Sequence, residues 1–322
     1  MSEVRATILA PDEVAASPNI RDEWEKLVRA SNNLRVLYQS PVWWDCNFIS
    51  HICQPSLVVM RDRSEAIVGM CPVRFTTYPL SLHLFNRCLW ANTLDVVEVL
   101  AGTPLASEDD NVHLQLFRFL LDSFPACEGL LLRNVRSDSF CWTLLESFPH
   151  LRSGMLAYAP EGVGQFHTIS LPATFPEYLA KFKRDTRKKL QRKVGRLERS
   201  VGGDLELMRI ESADQVDFFL DTAAVISDHT WQKHHLGRGV DTSPAYRALL
   251  RCCGERGILR SYLLRCGEAY CSFGIGFQFQ QVYHYVQVGF DERWTELSPG
   301  TVQFFLVLRD LIEFRPARRL DF

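Results

Sequence analysis

Two segments about 200 residues apart share one pattern, and this repeat restricts the possible folds more than any other feature of the chain. Residues Ser56–Phe75 read SLVVMRDRSEAIVGMCPVRF, and residues Arg260–Phe279 read RSYLLRCGEAYCSFGIGFQF. Each segment has an apolar run, an arginine, a short polar turn with Glu-Ala and a second apolar run, which predicts a β-hairpin. A pattern that recurs in this way predicts two similar domains.

Helical patterns flank both hairpins in the same order. A helix and then a strand follow each hairpin, and two helices precede each one, at 20–31 and 41–50 and again at 213–231 and 243–253. We therefore predict an α/β (α+β) protein with two tandem domains, each a mixed, mostly antiparallel sheet flanked by helices. The stretch APEGVGQFHT contains helix- and strand-breaking residues, so we place the domains at residues 1–160 and 165–322.

The composition excludes several classes of protein. Of the 322 residues, 47 % are hydrophobic and 23 % are charged, which predicts a globular chain with a sizeable core. No apolar run approaches the length of a membrane span, and the N-terminus has no apolar signal region. The ten cysteines have no metal-binding spacing, so we expect a reduced, cytoplasmic protein without metal. Cys266 and Cys271 flank a predicted turn and are close enough in sequence to meet.

The stretch SPGT at residues 298–301 opens the last helix of the second half. The first turn of a helix has unpaired N–H groups and the positive end of the dipole, so it can hold a phosphate. Gly300 permits close approach to the backbone, and the nearest acid, Glu296, lies before the helix. Ser298, Pro299, Gly300 and Thr301 are therefore candidate phosphate-binding residues, although Ser-Pro is also a routine helix start.

The matching helix of the first half begins differently. Its start, in GTPLASEDDNVHL, carries Glu108, Asp109 and Asp110. These carboxylates satisfy the helix dipole and repel an anionic ligand. We therefore expect the second domain, and not the first, to bind a phosphorylated cofactor.

The second half is predicted to begin with a strongly basic helix. Thr174 and Glu177 have the spacing of a capping box, and an apolar stripe follows them. The segment from Lys181 to Arg199 contains ten Lys/Arg residues and only two acidic residues, although the net charge of the whole chain is −2. The basic face of this helix has three possible interpretations: a solvated surface, a binding surface for an anionic ligand or RNA, or the polar face of a membrane-surface helix. The apolar stripe lacks the aromatic residues that are typical of membrane-surface helices.

The segment VYHYVQVGF (Val282–Phe290) alternates as a strand. The alternation predicts one face with three valines and His284, and an opposite face with Tyr283, Tyr285 and Gln287. If the valine face packs in the core, His284 is buried with it, and Tyr285 and Gln287 can line a cleft.

Three of these stretches together resemble a known family. YLAKFKRDTRKKLQRKVGRLER, GFDERWTELSPGTVQFFLVLRDLI and ARRLDF resemble the GNAT-type acetyltransferase-like family that includes the CelD-type cellulose-biosynthesis proteins. That family is similar to the tandem-GNAT Fem-type transferases. The resemblance covers about Gln165 to Phe322, and the first half matches only by pattern.

The resemblance implies transfer of an acyl group from acetyl-CoA or another acyl-CoA to the amine of a small molecule or saccharide. Val288 and Gly289 would contact the thioester, and residues 298–301 would bind the pyrophosphate of CoA. Tyr285 is the first catalytic candidate, as proton donor to the leaving thiolate, and His284 is the second. The first domain would be a degenerate GNAT-like domain without cofactor.

The sequence departs from the family pattern at two points. The stretch ELSPGT has one glycine where other GNAT proteins have a Gly-rich loop. Family members also continue past the equivalent of RLDF, so the second domain is expected to lack its last elements.

Two alternative functions are open from the sequence. The first alternative is an aminoacyl-tRNA-dependent transferase whose basic helix contacts RNA. The second is a non-catalytic module that binds an anionic polymer or a protein.

Overall fold

The computed structural model describes residues 4–50, 55–84, 87–147, 155–160, 162–230, 233, 237 and 239–322. The chain divides into two compact units, Met1–Gln165 and Phe166–Phe322. Each unit contains one six-stranded sheet with helices packed against it. The predicted fold class, two mixed sheets flanked by helices, is confirmed.

The first unit places its strands in the order β1-β2-β3-β4-β6, with β5 paired to β3. Only the β4–β6 pair is parallel. Val58, Val97, Leu116 and Leu144 belong to the core between the sheet and helices α4 and α5. The elements are β1 (Arg5–Leu9), α1 (Pro11–Ala15), α2 (Pro18–Ala30), α3 (Pro41–Ile49), β2 (Ser56–Arg61), β3 (Ile67–Leu84), β4 (Arg87–Val99), β5 (Leu105–Ala106), α4 (Asp110–Ser123), β6 (Gly129–Leu132) and α5 (Phe140–Ser147).

The second unit repeats this order as β8-β9-β10-β11-β12 and adds β7 beside β12. Its one parallel pair, β11–β12, corresponds to β4–β6. The predicted repeat thus extends to the topology of the sheets, and it also includes β1 and β8, which the hydrophobic pattern did not predict. The elements are β7 (Thr168–Ser170), α6 (Phe175–Ala180), α7 (Arg184–Ser200), β8 (Leu205–Ile210), α8 (Val216–Asp228), α9 (Pro244–Glu255), β9 (Ser261–Cys266), β10 (Ala269–Phe279), β11 (Val282–Phe290), α10 (Pro299–Glu313) and β12 (Arg319–Asp321).

The basic segment forms two helices where the sequence predicted one. Thr174 caps the short α6, because its hydroxyl accepts a hydrogen bond from the backbone N–H of Glu177 (3.4 Å). The backbone is extended at Lys183 (φ −57°, ψ 151°), and α7 begins at Arg184. The break lets Phe175 and Tyr178 of α6 join the core separately from Leu197 of α7.

Cys266 and Cys271 form a disulfide across the turn between β9 and β10. Their position on a hairpin brings them together, as the sequence indicated. The prediction that all ten cysteines are reduced is wrong for this pair, whereas Cys71, Cys88, Cys127, Cys141 and Cys253 are free thiols.

Helix α10 is held against the sheet by a buried ion pair at its C-terminal end. Arg260, at the start of β9, is 1 % exposed, and its Nη2 donates to Asp310 Oδ2 on α10 at 2.7 Å. The same guanidinium donates to the backbone carbonyls of Asp310, Phe314 and Arg315 at 3.0, 3.0 and 2.7 Å. Tyr262 Oη also donates to Asp310 Oδ2 (2.9 Å). The Arg260 side chain therefore satisfies carbonyls in the last turn of α10 and just beyond it, and it ties this end of the helix to the sheet.

Two further features are absent from the described residues. No helix there has both the length and the hydropathy that a bilayer crossing requires. That same part of the chain contains no group of three or more His, Cys, Asp or Glu side chains that could hold a metal ion.

The ion pair leads to a prediction about stability. Replacing Asp310 by Ala leaves the Arg260 charge buried without a carboxylate, so we expect the free energy of unfolding to fall by about 3–5 kcal/mol. Urea denaturation followed by circular dichroism measures this loss. Asp221→Ala is the control, because this carboxylate pairs with Arg247 but is 68 % exposed, and its loss should cost no more than about 1 kcal/mol. Equal losses in the two variants would contradict the account.

Candidate active site

Strand β11 changes the direction of its side chains at Val286. Tyr285 lies opposite Gly276 of β10, whereas Gln287 lies opposite Ile275, so Val286 is the extra residue of a β-bulge. Val286 and Val288 are 52 % and 42 % exposed. The valine face is therefore not buried, because the bulge interrupts the strict alternation from which that face was defined.

Tyr283 and Tyr285 belong to the core that packs under α10. Two glycines of β10 provide the space for their rings. A Cβ atom at Gly274 would lie 2.5 Å from Tyr285 Cε2, and one at Gly276 would overlap the hydroxyl of Tyr283. Tyr285 also stacks on Phe304 of α10, with ring centroids 5.8 Å apart.

His284 is buried on the opposite face of β11 from Tyr285. It lies beside Asp321 in the parallel register with β12, and its Nδ1 is 3.4 Å from Asp321 Oδ2. The two catalytic candidates from the sequence therefore point to different faces of the sheet. The structure does not bring them together at one reacting atom.

The two strands on either side of β11 cover different lengths of it. Strand β12 pairs only with Val282–His284, whereas β10 pairs with β11 as far as Phe290. From Tyr285 onward, one backbone edge of β11 has no strand partner among the described residues. This part of β11 includes the extra residue Val286, which is a bulge against β10, and continues to the predicted thioester residues Val288 and Gly289.

Helix α10 begins next to the end of β11, without a side-chain cap. Ser298 at the N-cap position has left-handed backbone angles (φ 55°, ψ 51°), and its hydroxyl makes no capping hydrogen bond. The first turn contains no acidic residue. A Cβ at Gly300 would lie 3.2 Å from Cδ1 of Phe290, so this glycine brings the helix start against the end of β11. The N–H groups of the first turn therefore remain available to an external acceptor.

Lys193 of α7 reaches this helix start. Its Nζ donates to the hydroxyl of Thr301 at 3.3 Å. The basic helix and the start of α10 are thus adjacent, an arrangement that the sequence did not predict. The signal was present in the helical spacing, because Lys193 is next to the apolar stripe of Leu190, Val194 and Leu197, which faces the core.

The corresponding helix of the first unit is capped by its own chain. The Asp109 carboxylate accepts hydrogen bonds from the backbone N–H groups of Asn111 (2.8 Å) and Val112 (3.3 Å). The acidic residues thus occupy the helix start as their sequence indicated, and α10 differs from α4 in this respect.

Burial controls the charge state of the tyrosines under α10. Burial raises the pKa of Tyr285 above that of a free phenol. Burial is also the main cause of the strongly raised pKa values of Tyr262 and Tyr283. These side chains are therefore neutral phenols at neutral pH, a state that can donate a proton.

Comparison with known proteins agrees with the architecture. Residues 184–322 match the acetyltransferase (GNAT) domain family. No curated protein sequence matches the chain. The chain is similar to the crystal structure of FemX, with a TM-score of 0.62 and 10 % identity over 94 % of this chain and 86 % of that one.

Two other solved structures have a similar fold. One is the C-terminal domain of a putative lysylphosphatidylglycerol synthetase from Agrobacterium fabrum, with a TM-score of 0.51 and 12 % identity over 94 % of this chain and 77 % of that one. The other is a conserved protein of unknown function from Bacteroides thetaiotaomicron, with a TM-score of 0.51 and 13 % identity over 94 % and 87 %. At these identities the likeness concerns the fold alone.

The tyrosine burial predicts how stability depends on pH. The folded-state pKa is raised, so the stabilisation is complete below about pH 10 and declines as the pH rises further. At pH 11 we expect a loss of about 1 kcal/mol for each buried tyrosine relative to pH 9. Urea denaturation of Tyr285→Phe should show a smaller alkaline loss than the unsubstituted protein, whereas a Phe at the exposed Tyr158 should not reduce it. An unchanged alkaline loss in Tyr285→Phe would contradict the assignment.

Proposed function

We propose that the second unit is an N-acyltransferase that moves an acyl group, most simply acetyl, from acyl-CoA to the amine of a small molecule or saccharide. The observation that carries the proposal is the start of α10, which has no cap, no acid and a lysine beside it. The match of residues 184–322 to the acetyltransferase (GNAT) family supports it. A role in polysaccharide or cell-envelope metabolism follows from the resemblance to CelD-type proteins.

The pyrophosphate of CoA is proposed to bind at residues 298–301. Pro299 has no N–H, so the donors of the first turn are the backbone N–H groups of Gly300 and Thr301. Lys193 lies within hydrogen-bonding distance of the Thr301 hydroxyl and adds a positive charge beside these donors. The absence of a carboxylate in the first turn means that an anion meets no repulsion there.

The thioester is proposed to lie along the open edge of β11, near Val288 and Gly289. The amine nitrogen attacks the thioester carbonyl carbon, the new C–N bond forms, and the C–S bond breaks to release the CoA thiolate. Backbone N–H groups on this edge stabilise the oxyanion that develops on the carbonyl oxygen. The amine gives up its proton to a base or to a water molecule that a base holds.

Tyr285 is the proposed proton donor to the thiolate, and His284 is the second candidate. Burial raises the pKa of Tyr285, so the side chain is a neutral phenol at neutral pH and a weaker acid than an exposed tyrosine. His284 faces the other side of the sheet beside Asp321, so a role for it requires a reacting group on that side. The Tyr285 assignment therefore takes precedence.

An aminoacyl-tRNA-dependent transfer is the second candidate, and the charges of α7 favour it. Lys188 and Arg192 lie on its exposed face and form no ion pair with the described residues, whereas Arg247 and Arg265 elsewhere in the unit pair with carboxylates. These unneutralised cations exceed what one CoA requires. A non-catalytic module that binds an anionic polymer or a protein is the third candidate, and it predicts binding of this kind without acyl transfer.

Substitutions at Gly300 test the pyrophosphate site. Calorimetric titration with acetyl-CoA should give saturable binding to the unsubstituted chain and at least tenfold weaker binding to Gly300→Asp, because the carboxylate repels phosphate at the helix start. Gly300→Ala separates charge from bulk, since its methyl group contacts only Phe290, and Gly164→Asp places the same charge at an open position. Neither control should lose more than about twofold. Absence of acetyl-CoA binding to the unsubstituted chain would contradict the proposal.

Charge reversal on α7 distinguishes the two transfer reactions. Lys193→Ala should weaken acetyl-CoA binding about tenfold, because hydrogen bonds to charged groups contribute about 1.5–3 kcal/mol. The paired change Lys188→Glu with Arg192→Glu, on the exposed face, should leave acetyl-CoA affinity within about twofold. The tRNA-dependent reaction predicts a different set of results. In that case acetyl-CoA does not bind, tRNA binds with a steep salt dependence, and the paired change abolishes the binding of tRNA.

A further inference from the structure

The first unit contains an aromatic pocket that the proposed acyl transfer does not use. Its lining comes from α2, from the 3₁₀ turn Val36–Gln39, from α3 and from β3. The side chains that matter for a ligand are Trp24, Tyr38, Gln39, Trp43, Trp44 and Arg74.

Two edge-to-face ring pairs form the apolar walls. Trp24 packs on Trp44 with ring centroids 5.4 Å apart, and Tyr38 packs on Trp43 at 5.1 Å. Trp24 and Trp44 are buried, whereas Tyr38 and Trp43 are partly exposed at the rim. Such rigid walls present flat faces to C–H groups of a ligand, with little loss of side-chain entropy on binding.

One polar group in the lining is not satisfied by the described residues. Gln39 is 1 % exposed, and its Nε2 donates to the carbonyl of Thr103. Its Oε1 accepts no hydrogen bond from them. A buried acceptor without a donor is destabilising, and a ligand N–H or O–H would offset that cost. A group without an N–H or O–H, such as a proline ring, would leave the Gln39 acceptor unsatisfied.

The charges around the pocket exclude an ammonium ligand. None of the described lining residues is acidic. Arg74 lines the pocket, and it shares the single carboxylate of Glu98 with Arg133. Two guanidinium groups on one carboxylate leave a net positive charge, which repels a cation. The aromatic walls therefore favour a neutral group over an amine.

The enclosed space limits the group to a small one. The pocket has a volume of about 30 Å³. A single buried water needs about 10–15 Å³, so the pocket has room for about two or three waters. A methyl group with an adjoining amide fits this space, whereas a whole sugar ring does not and would rest on the rim formed by Tyr38 and Trp43.

We propose that this pocket binds the acetamido group of a neutral ligand, with its methyl between the tryptophans and its N–H donated to Gln39 Oε1. The shared chemistry is a secondary acetamide, from either an N-acetylated sugar or an N-acetylated peptide. The inference goes beyond the acyl transfer of the second unit and stands independently of it.

Saturation-transfer difference NMR on the full chain tests the pocket, with N-acetylglucosamine and N-acetylglycinamide as acetamides and glucosamine and choline as cationic controls. We expect saturation of the acetamide methyl in both acetamides and no saturation of glucosamine or choline. Binding of the sugar alone identifies a saccharide source, binding of the glycinamide alone a peptide source, and binding of both a site for the acetamide itself. Each of these three results supports the proposal.

Variants assign the signal to the pocket. Trp43→Ala should lower the methyl saturation at least fivefold, and Trp90→Ala, an exposed tryptophan outside the lining, should leave it unchanged. Trp43→Phe keeps an aromatic wall and covers the case in which the alanine variant does not fold. Absence of acetamide saturation, equal saturation in Trp43→Ala and Trp90→Ala, or a choline signal that depends on Trp43 would overturn the proposal. Acetyl-CoA binding is measured separately, so failure of one site is distinguishable from failure of the other.

Discussion

The buried ion pair between Arg260 and Asp310 determines where α10 lies, and the candidate site of the second unit depends on it. A buried guanidinium is costly unless all of its donors are paired. Here the Arg260 donors are paired with the Asp310 carboxylate, the Tyr262 hydroxyl, the Gln278 amide oxygen and backbone carbonyls at the C-terminal end of α10. Because the C-terminal end of α10 is fixed in this way, its N-terminal end is held against Phe290 at the end of β11.

The start of α10 and the open edge of β11 share one property, because each has backbone hydrogen-bonding groups that neighbouring structure does not pair among the described residues. The helix lacks a cap, since Ser298 is left-handed and its hydroxyl makes no capping hydrogen bond. The strand lacks a partner on one edge, since β12 pairs only as far as His284. The first unit repeats the sheet order but supplies the missing cap through Asp109. The physical difference between the two repeats is therefore concentrated at the helix start.

Much of the fold could be predicted from local pattern. The repeated hairpins, the helices before and after them and the acid-free start of α10 follow from hydrophobic period and residue type, which act over short distances. The proximity of Cys266 and Cys271 also follows from the hairpin, although the two cysteines were expected to be reduced. The bulge at Val286 did not, because one extra residue leaves the apolar pattern unchanged and alters only the register with β10. The glycines at 274 and 276, opposite two tyrosines, are the signal that sequence alone offered.

Contacts between distant segments were beyond prediction for a different reason. Lys193 and Thr301 are 108 residues apart, and their contact depends on how α7 crosses α10. Arg260 and Asp310 depend equally on tertiary packing. The aromatic pocket of the first unit belongs to the same class, because four short elements supply its walls. Local pattern identified which elements exist, and packing decided which side chains meet.

We propose that the first-turn N–H groups of α10 bind a phosphate of acyl-CoA. A ¹⁵N-resolved NMR titration of the full chain with acetyl-CoA tests this binding through the backbone amides of Gly300 and Thr301. We expect these two amide protons to shift downfield and saturate together, while the capped amides of Asn111 and Val112 do not move. Saturable binding that leaves Gly300 and Thr301 unchanged would contradict this proposal.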